Sequence, residues 1–276
     1  MAGLGGLSVM SLSFFANQFN KSNSPKMPVL FIGHGSPMNV IEDNNFTQSW
    51  ARIGAAIPKP KAILAVSAHW YIDQVKVTAM PNPRTIYDFY GFPKEMYELK
   101  YDALGSPEFA KETQSLVDLA QIELDHEWGL DHGTWCVLNS MYPEADIPVF
   151  QLSINYKKRG EWHYELAKQL KALREKGVLI MGSGNIVHNL RMPFNQFYDF
   201  VPEFDQLFKE KALNQDFQSL ANYHQLGKAA QMAIPTPDHY WPAIYALGAI
   251  DKSEEIHFFN EEQVSGAISM RSFLAA

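Results

Sequence analysis

The amino-acid sequence predicts a single α/β domain over residues 27–276, with a central, mostly parallel sheet and flanking helices. Two observations predict this class. Short, nearly continuous apolar runs recur along the chain, which is typical of strands that are buried on both faces. Longer helical stretches separate these runs, and this alternation is typical of α/β folds. No repeat or low-complexity tract divides the chain after residue 27, so one domain is favoured over two small ones.

Four apolar runs are predicted to form the sheet. In chain order they are Val29–Gly33, Ala62–Ser67, Val149–Ser153 and Val178–Gly182. Val75–Met80 is a candidate for an additional strand. Four stretches are predicted to be helices: roughly Asn44–Ile57, Ser106–Leu119, Glu161–Lys176 and Phe204–Gln225. The third helix is the clearest, because a glycine precedes it and another glycine stops it.

Composition and charge restrict the function. The chain has 276 residues, of which 46% are hydrophobic and 19% are charged, as in a globular protein. The 30 acidic residues outnumber 23 basic ones, which argues against nucleic acid or an anionic membrane as a partner. The one cysteine, Cys136, excludes an internal disulfide and any multi-cysteine metal site. Because there are 9 histidines, a bound metal would be held by imidazole and carboxylate groups.

Residues 1–26 are predicted to be an extension that is disordered or loosely docked. Leu7–Ala16 is mildly apolar but interrupted by serines, and no lysine or arginine precedes Lys21, so a secretory signal is not favoured. No apolar run approaches the roughly 18–20 residues that a membrane-spanning helix needs. We therefore expect a cytoplasmic protein without a membrane partner. The sequence leaves open whether it is a monomer or a homo-oligomer.

Three histidines follow predicted strands. His34 comes directly after the first strand, His69 follows the second, and His188 follows the fourth. In open α/β sheets, ligands bind beyond the carboxyl ends of the strands. We therefore expect these three side chains to converge on a site at that edge of the sheet, although they lie far apart in the chain.

Two further segments carry histidines with chemical context. Pro235–Pro242 places His239 at the start of an apolar helix, which Asp238 is predicted to cap. Leu124–Trp135 contains His126 and His132, each directly after an aspartate, in a loop with glycines. An aspartate beside a histidine can hold the imidazole in one tautomer. For His126, a position in a polar loop is a sufficient explanation. For His132, a structural role and a role at the site are equally supported.

The remaining candidates have plainer interpretations. His163 and His224 are predicted to be solvated surface residues on helices, and His257 lies in an apparent strand without an assigned role. Trp70 and Trp135 adjoin the candidate histidines, so each is equally a pocket wall or a core residue.

Other reaction chemistries fit the sequence less well. Gly182-Ser-Gly184 begins a dinucleotide fingerprint, but Val187 occupies the third glycine position, so no nucleotide cofactor is predicted. A phosphate-binding loop and a Gly-x-Ser-x-Gly nucleophile elbow are both absent from the sequence. Ser36 is followed by Pro37, which instead indicates the start of a helix. Cys136 would act as a nucleophile only with a lowered thiol pKa.

Five motifs, taken together and in order, resemble one enzyme family. They are Gly33-His-Gly-Ser-Pro-Met38, Ser67-Ala-His-Trp70, Asp131-His-Gly-Thr-Trp135, Gly182-Ser-Gly-Asn-Ile-Val-His-Asn-Leu190 and Pro235-Thr-Pro-Asp-His239. They resemble the DOPA-dioxygenase-like branch of the class III extradiol ring-cleavage dioxygenases, which is related to the catalytic subunit of protocatechuate 4,5-dioxygenase. The resemblance covers about residues 28–276.

This resemblance implies roles for individual residues. His34 and His69 correspond to metal ligands, and His239 stands where the protocatechuate enzymes have a glutamate ligand. His188 corresponds to the acid/base histidine, with a role as a fourth ligand left open. His132 corresponds to a histidine beside the substrate.

The resemblance also implies one divalent metal per chain. Two histidines and a carboxylate are typical of oxygen-activating ferrous iron, whereas an all-imidazole set also suits zinc, so both metals stay open. The implied reaction is the opening of a catechol ring by molecular oxygen, with 4,5-cleavage of a DOPA-like substrate between Trp70 and Trp135. Two alternatives remain, a zinc hydrolase with the same site and a metal-binding protein without turnover.

Overall fold

The computed structural model describes residues 26–264 and 266–276. The predicted N-terminal extension therefore lies, apart from Lys26, outside the described residues. In chain order the strands of the described part are β1 (Val29–Gly33), β2 (Ala62–Ser67), β3 (Tyr71–Ile72), β4 (Val75–Thr78), β5 (Ile122–Asp125), β6 (Val149–Gln151), β7 (Ile154–Asn155), β8 (Val178–Gly184), β9 (Ile256–Phe259), β10 (Gln263–Val264), β11 (Ile268–Ser269) and β12 (Ser272–Ala275).

Nine α-helices lie between the strands of the described part. They are α1 (Asn45–Ala56), α2 (Pro107–Leu116), α3 (His132–Met141), α4 (Gly160–Leu170), α5 (Ala172–Glu175), α6 (Phe200–Leu213), α7 (Phe217–Ala221), α8 (Lys228–Ala233) and α9 (Trp241–Gly248). Single-turn 3-10 helices span Pro37–Val40, Lys94–Tyr97 and Tyr223–Gln225. Within the described ranges, none of the helices combines the length and the hydrophobicity needed to cross a membrane.

The central sheet has six strands in the order β6-β2-β8-β1-β12-β9. The first four run parallel, with β8 paired to β2 on one side and to β1 on the other. The last two are antiparallel to their neighbours. The prediction of one α/β domain with a mostly parallel sheet and flanking helices is thereby confirmed.

The apolar runs become central strands because both faces of the sheet are covered. Alternate side chains enter different cores: Phe31 packs in one, whereas Leu30 and Ile32 pack in the other. Helices α4 and α9 contribute to the first core, and α1 and α3 contribute to the second. Burying one such apolar side chain stabilises the fold by about 1.5–3 kcal/mol, which explains why the strands tolerate so few polar residues.

Most of the predicted strands and helices are present, with shifted ends. The third strand ends at Gln151, and the fourth continues to Gly184. The additional strand is β4, but it pairs with β5 in a separate sheet. Pro37 begins a 3-10 helix as predicted, with the Ser36 side chain accepting a hydrogen bond from the backbone of Met38.

The predicted long helix over Phe204–Gln225 is wrong, because the chain breaks there into α6, α7 and a 3-10 turn. Gln215 has a φ of 54°, a left-handed conformation that ends a helix. Asp216 then caps α7 by accepting a hydrogen bond from the backbone of Ser219.

The surface position predicted for His163 is also wrong. His163 lies on α4 with no exposed surface. Helix α4 packs against α9, whose residues are all buried, and His163 lies between them. Its Nδ1 is 3.0 Å from the hydroxyl of Tyr245, and its ring contacts Trp241.

Candidate metal centre

The candidate site lies at the carboxyl ends of the central parallel strands. His34 directly follows β1, His69 follows β2, and His188 follows β8. Because β2, β8 and β1 are neighbours in the sheet, their carboxyl ends share one edge. The backbone pairing extends past the strand ends, since the His34 amide donates to the carbonyl of Gly184 at 3.0 Å. The predicted convergence is therefore present.

Five imidazole rings meet at this edge. His34, His69 and His132 each offer a nitrogen, and these three atoms lie within 4.8 Å of one another. The Nε2 atoms of His34 and His69 are 3.5 Å apart. The ring centroid of His239 lies 5.4 Å from that of His34 and 5.1 Å from that of His69. His188 stacks on His239 at 3.6 Å with an angle of 7° between the ring planes.

The structure brings His132 closer to His34 and His69 than the sequence suggested. Its ring centroid lies 3.9 Å from that of His69. His126, by contrast, is exposed in the loop after β5 and is outside the five-ring cluster of the described residues. The two histidines of the Leu124–Trp135 segment therefore have different surroundings.

Outer contacts orient two of the imidazoles, those of His34 and His239. Nδ1 of His34 is 3.0 Å from the hydroxyl of Ser183, and Nδ1 of His239 contacts the carboxylate of Asp238. With Nδ1 so engaged, Nε2 is the nitrogen left free to bind a ligand. The predicted capping role of Asp238 is wrong, since α9 has no side-chain cap and the Asp238 carboxylate is engaged by the adjacent imidazole.

Helix α3 positions His132 through its N-terminal cap. Asp131 is fully buried and accepts hydrogen bonds from the backbone of Thr134 at 3.1 Å and from the hydroxyl of Ser67 at 2.7 Å. Gln151 donates to the same carboxylate at 2.6 Å. Burial, followed by the negative charge of Asp88, raises the pKa of Asp131. This network ties the start of α3 to the ends of β2 and β6.

Gly133, the second residue of α3, makes the close packing possible. A Cβ at this position would lie 2.6 Å from Ser67 Oγ, 2.8 Å from His69 Cδ2 and 3.3 Å from His34 Cε1. The helix end can therefore approach both histidines only with glycine at this position.

Burial lowers the pKa of three of the clustered imidazoles, those of His34, His69 and His188. It is the largest cause of the lowered pKa values of His34 and His69, and neighbouring histidines lower them further. The pKa of His188 falls to about 3, through burial and then through His239. A neutral imidazole is the form that binds a metal, so the donor set fits a divalent ion.

A comparison with known families supports this interpretation of the site. The sequence model for the catalytic LigB subunit of aromatic ring-opening dioxygenase matches residues 27–270. The chain belongs to this family. The family predicted from the five motifs is confirmed, and with it an extradiol ring-cleavage dioxygenase that requires a metal.

Named relatives of this LigB-family chain cover nearly its whole length. The Escherichia coli protein called 4,5-DOPA dioxygenase extradiol is 44% identical over 260 residues, which are 91% of this chain and 95% of the relative. The protein of the same name from Beta vulgaris is 38% identical, over 88% of this chain and 94% of its own. The crystal structure of an uncharacterized Escherichia coli K12 protein superposes with a TM-score of 0.80 at 41% identity, covering 90% of this chain and 99% of that one.

Aromatic residues surround the centre of this family member. Trp70 is buried and stacks on Trp128, with ring centroids 5.5 Å apart. Trp135 is fully buried and donates from Nε1 to the carbonyl of Ile86 at 2.9 Å. Phe89 lies between Trp135 and the site, with its ring centroid 6.4 Å from that of Trp135 and 5.6 Å from that of His132. The Phe89 ring thus contacts both Trp135 and His132.

Sequence reasoning missed Phe89 and its neighbour Asp88. Oδ2 of Asp88 lies 3.2 Å from Nδ1 of His69 and 3.0 Å from Nδ1 of His132. Neither residue belongs to a histidine motif, and the aromatic run Tyr87–Phe92 was the one signal that marked the segment. Burial, followed by the charges of Asp88 and Asp131, raises the pKa of the Cys136 thiol well above its ordinary value, which disfavours the thiolate.

Proposed function

We propose that this chain opens the ring of a DOPA-like catechol by extradiol 4,5-cleavage with molecular oxygen. The observation that carries the proposal is the convergence of five imidazole rings at one point of the sheet edge. The substrate class is supported by the names of two relatives that are 44% and 38% identical over nearly their full lengths.

We propose His34, His69 and His239 as the ligands of one ferrous ion. The paired Nε2 atoms of His34 and His69 and the engagement of His239 Nδ1 by Asp238 support this choice. The bound ion would hold the two vicinal oxygens of the catechol, favour loss of their protons and bring oxygen to the ring. Three protein ligands leave room for these groups.

The other two histidines would manage protons and orientation. His188 is neutral at pH 7, so its free nitrogen can take a proton from a catechol hydroxyl and later return it. His132 would form a hydrogen bond with the substrate or with oxygen. Phe89, Trp70 and Trp135 would shape the apolar wall beside the ring, and we keep His126 as a more distant substrate contact.

The all-imidazole donor set favours one second candidate, a zinc hydrolase. Zinc on three histidines can produce hydroxide near neutral pH, and this needs the same ligands but neither oxygen nor catechol. We rank it second, because the relatives are named as dioxygenases.

One experiment separates the two candidates. Metal-free protein is loaded anaerobically with Fe²⁺ or with Zn²⁺, and DOPA and air are then admitted while oxygen uptake and the visible spectrum are recorded. We expect the Fe²⁺ protein to consume oxygen and form a coloured ring-cleavage product, and the Zn²⁺ protein to do neither. Absence of oxygen uptake by the Fe²⁺ protein across a panel of catechols would exclude the dioxygenase.

We also propose a cytoplasmic location and no nucleotide cofactor. The single cysteine, Cys136, is free and buried, which suits a reducing compartment. Fractionation of cells that express the full chain tests the location directly.

A further inference from the structure

One carboxylate faces two histidines of the site. Asp88 lies in the loop between β4 and α2, and its side chain is 20% exposed. Its Oδ1 accepts a hydrogen bond from the backbone amide of His132 at 2.9 Å. Its Oδ2 lies 3.2 Å from Nδ1 of His69 and 3.0 Å from Nδ1 of His132, and both are close contacts without hydrogen-bond alignment.

His34 and His239 each have an outer partner of their own, whereas His69 and His132 share Asp88. His34 contacts Ser183, and His239 contacts Asp238. We propose that Asp88 is a positioning residue that orients His69 and His132 together, so that one carboxylate sets the spacing between a metal ligand and the histidine that faces the substrate. This inference rests on the proposed metal site and deepens it.

The residues on both sides of Asp88 in the chain are anchored by contacts of their own. On one side of it, the hydroxyl of Tyr87 donates to the carbonyl of Leu99 at 2.5 Å. On the other side, the buried ring of Phe89 packs edge-on against His132. The backbone amide of Ile86 also donates to the carbonyl of Leu130 at 2.7 Å, which ties the loop to the segment that leads into α3.

A carboxylate is required here because the Nδ1 atom of His69 and the Nδ1 atom of His132 each need an acceptor. If Nε2 is to bind a metal or accept a proton, Nδ1 carries the hydrogen and must donate it. Oδ1 of Asp88 accepts from the His132 amide, and Oδ2 lies within reach of both imidazoles. The amide of an asparagine would keep one acceptor oxygen and replace the other by a donor, which leaves at least one imidazole without its partner.

The test compares Asp88→Asn with Glu95→Gln, which removes an exposed carboxylate from the 3-10 helix in the same β4–α2 connection. Both variants and the wild type are purified metal-free and titrated with Co²⁺ against a competing chelator, while the visible absorption of bound Co²⁺ is recorded. We expect Asp88→Asn to bind Co²⁺ roughly 10- to 100-fold more weakly, the usual effect of losing an outer partner of a ligand. Its Co²⁺ spectrum should also change, because the His69 imidazole is no longer held in one orientation.

Thermal melting of the metal-free proteins separates positioning from folding. The melting temperature of Asp88→Asn should stay within about 2 °C of wild type, as for a partly exposed substitution in a chain of this size. Equal Co²⁺ affinity and equal spectra for Asp88→Asn and Glu95→Gln would overturn the inference. It would also be overturned if the affinity loss followed a large fall in the metal-free melting temperature. Failure of the wild type to bind Co²⁺ would refute the proposed metal site itself.

Discussion

Two buried histidine environments in this molecule look alike locally and differ in what surrounds them. His163 and His34 are both buried, and burial is the main cause of a lowered pKa in each. His163 meets Tyr245 and two tryptophans between helices α4 and α9, so its surroundings are those of a core residue. His34 meets other imidazoles at the end of a strand. Convergence of nitrogen atoms, rather than burial or a shifted pKa, therefore distinguishes the candidate site.

The largest effect should come from removing a ligand from the cluster. His34→Ala is expected to abolish metal binding, because it deletes the imidazole whose Nε2 is 3.5 Å from that of His69. A substitution of the buried histidine between α4 and α9, His163→Gln, should leave metal binding intact. Metal content of both proteins after loading and desalting measures the difference. Equal metal loss in the two variants would show that metal binding does not depend specifically on the His34 cluster.

The next effect concerns a histidine inside the cluster that we assign to proton transfer. His188→Ala should keep most of its metal and lose ring cleavage by roughly 10²–10⁴-fold, the usual contribution of general acid–base catalysis. Initial rates of oxygen uptake, normalised to bound metal, provide the measurement. If the variant loses metal as completely as His34→Ala, then His188 is a ligand, and the acid/base assignment is wrong.

The smallest effect is on stability and belongs to His163. Burial lowers its folded-state pKa to about 3, so between that value and the reference value of 6.5 the unfolded chain takes up the proton. The free energy of unfolding is therefore unaffected by protonation of His163 above about pH 6.5. It falls as the pH drops toward 3, by up to about 1.4 kcal/mol per pH unit. His163→Gln cannot take up this proton, so its unfolding free energy should fall less steeply with acid.

Urea unfolding of the metal-free proteins between pH 4 and 7 measures both slopes. The other buried histidines are common to the two proteins, so their contributions cancel in the difference. Parallel pH profiles for the wild type and His163→Gln would show that His163 is protonated in the folded state as readily as in the unfolded chain.

The sequence predicted those parts of the fold that local patterns determine. Apolar runs located β1, β2 and β8, and the histidines behind them followed from the geometry of a parallel sheet. His163 was misplaced because helical periodicity does not reveal that α9 covers this face of α4. Asp88 and Phe89 were missed because their roles depend on a loop that tertiary contacts fold back onto α3.

The central claim is that these imidazoles hold one metal at the carboxyl ends of the strands. Anomalous scattering from crystals of the full chain soaked in Co²⁺ tests it most directly. We expect one strong peak bonded to Nε2 of His34 and of His69, with His239 as the third ligand. A third bond from His132, whose nitrogen lies in the 4.8 Å cluster, would exchange the roles of His132 and His239. A strong peak bonded to none of these histidines, or no peak at saturating Co²⁺, would show that they do not form a metal centre.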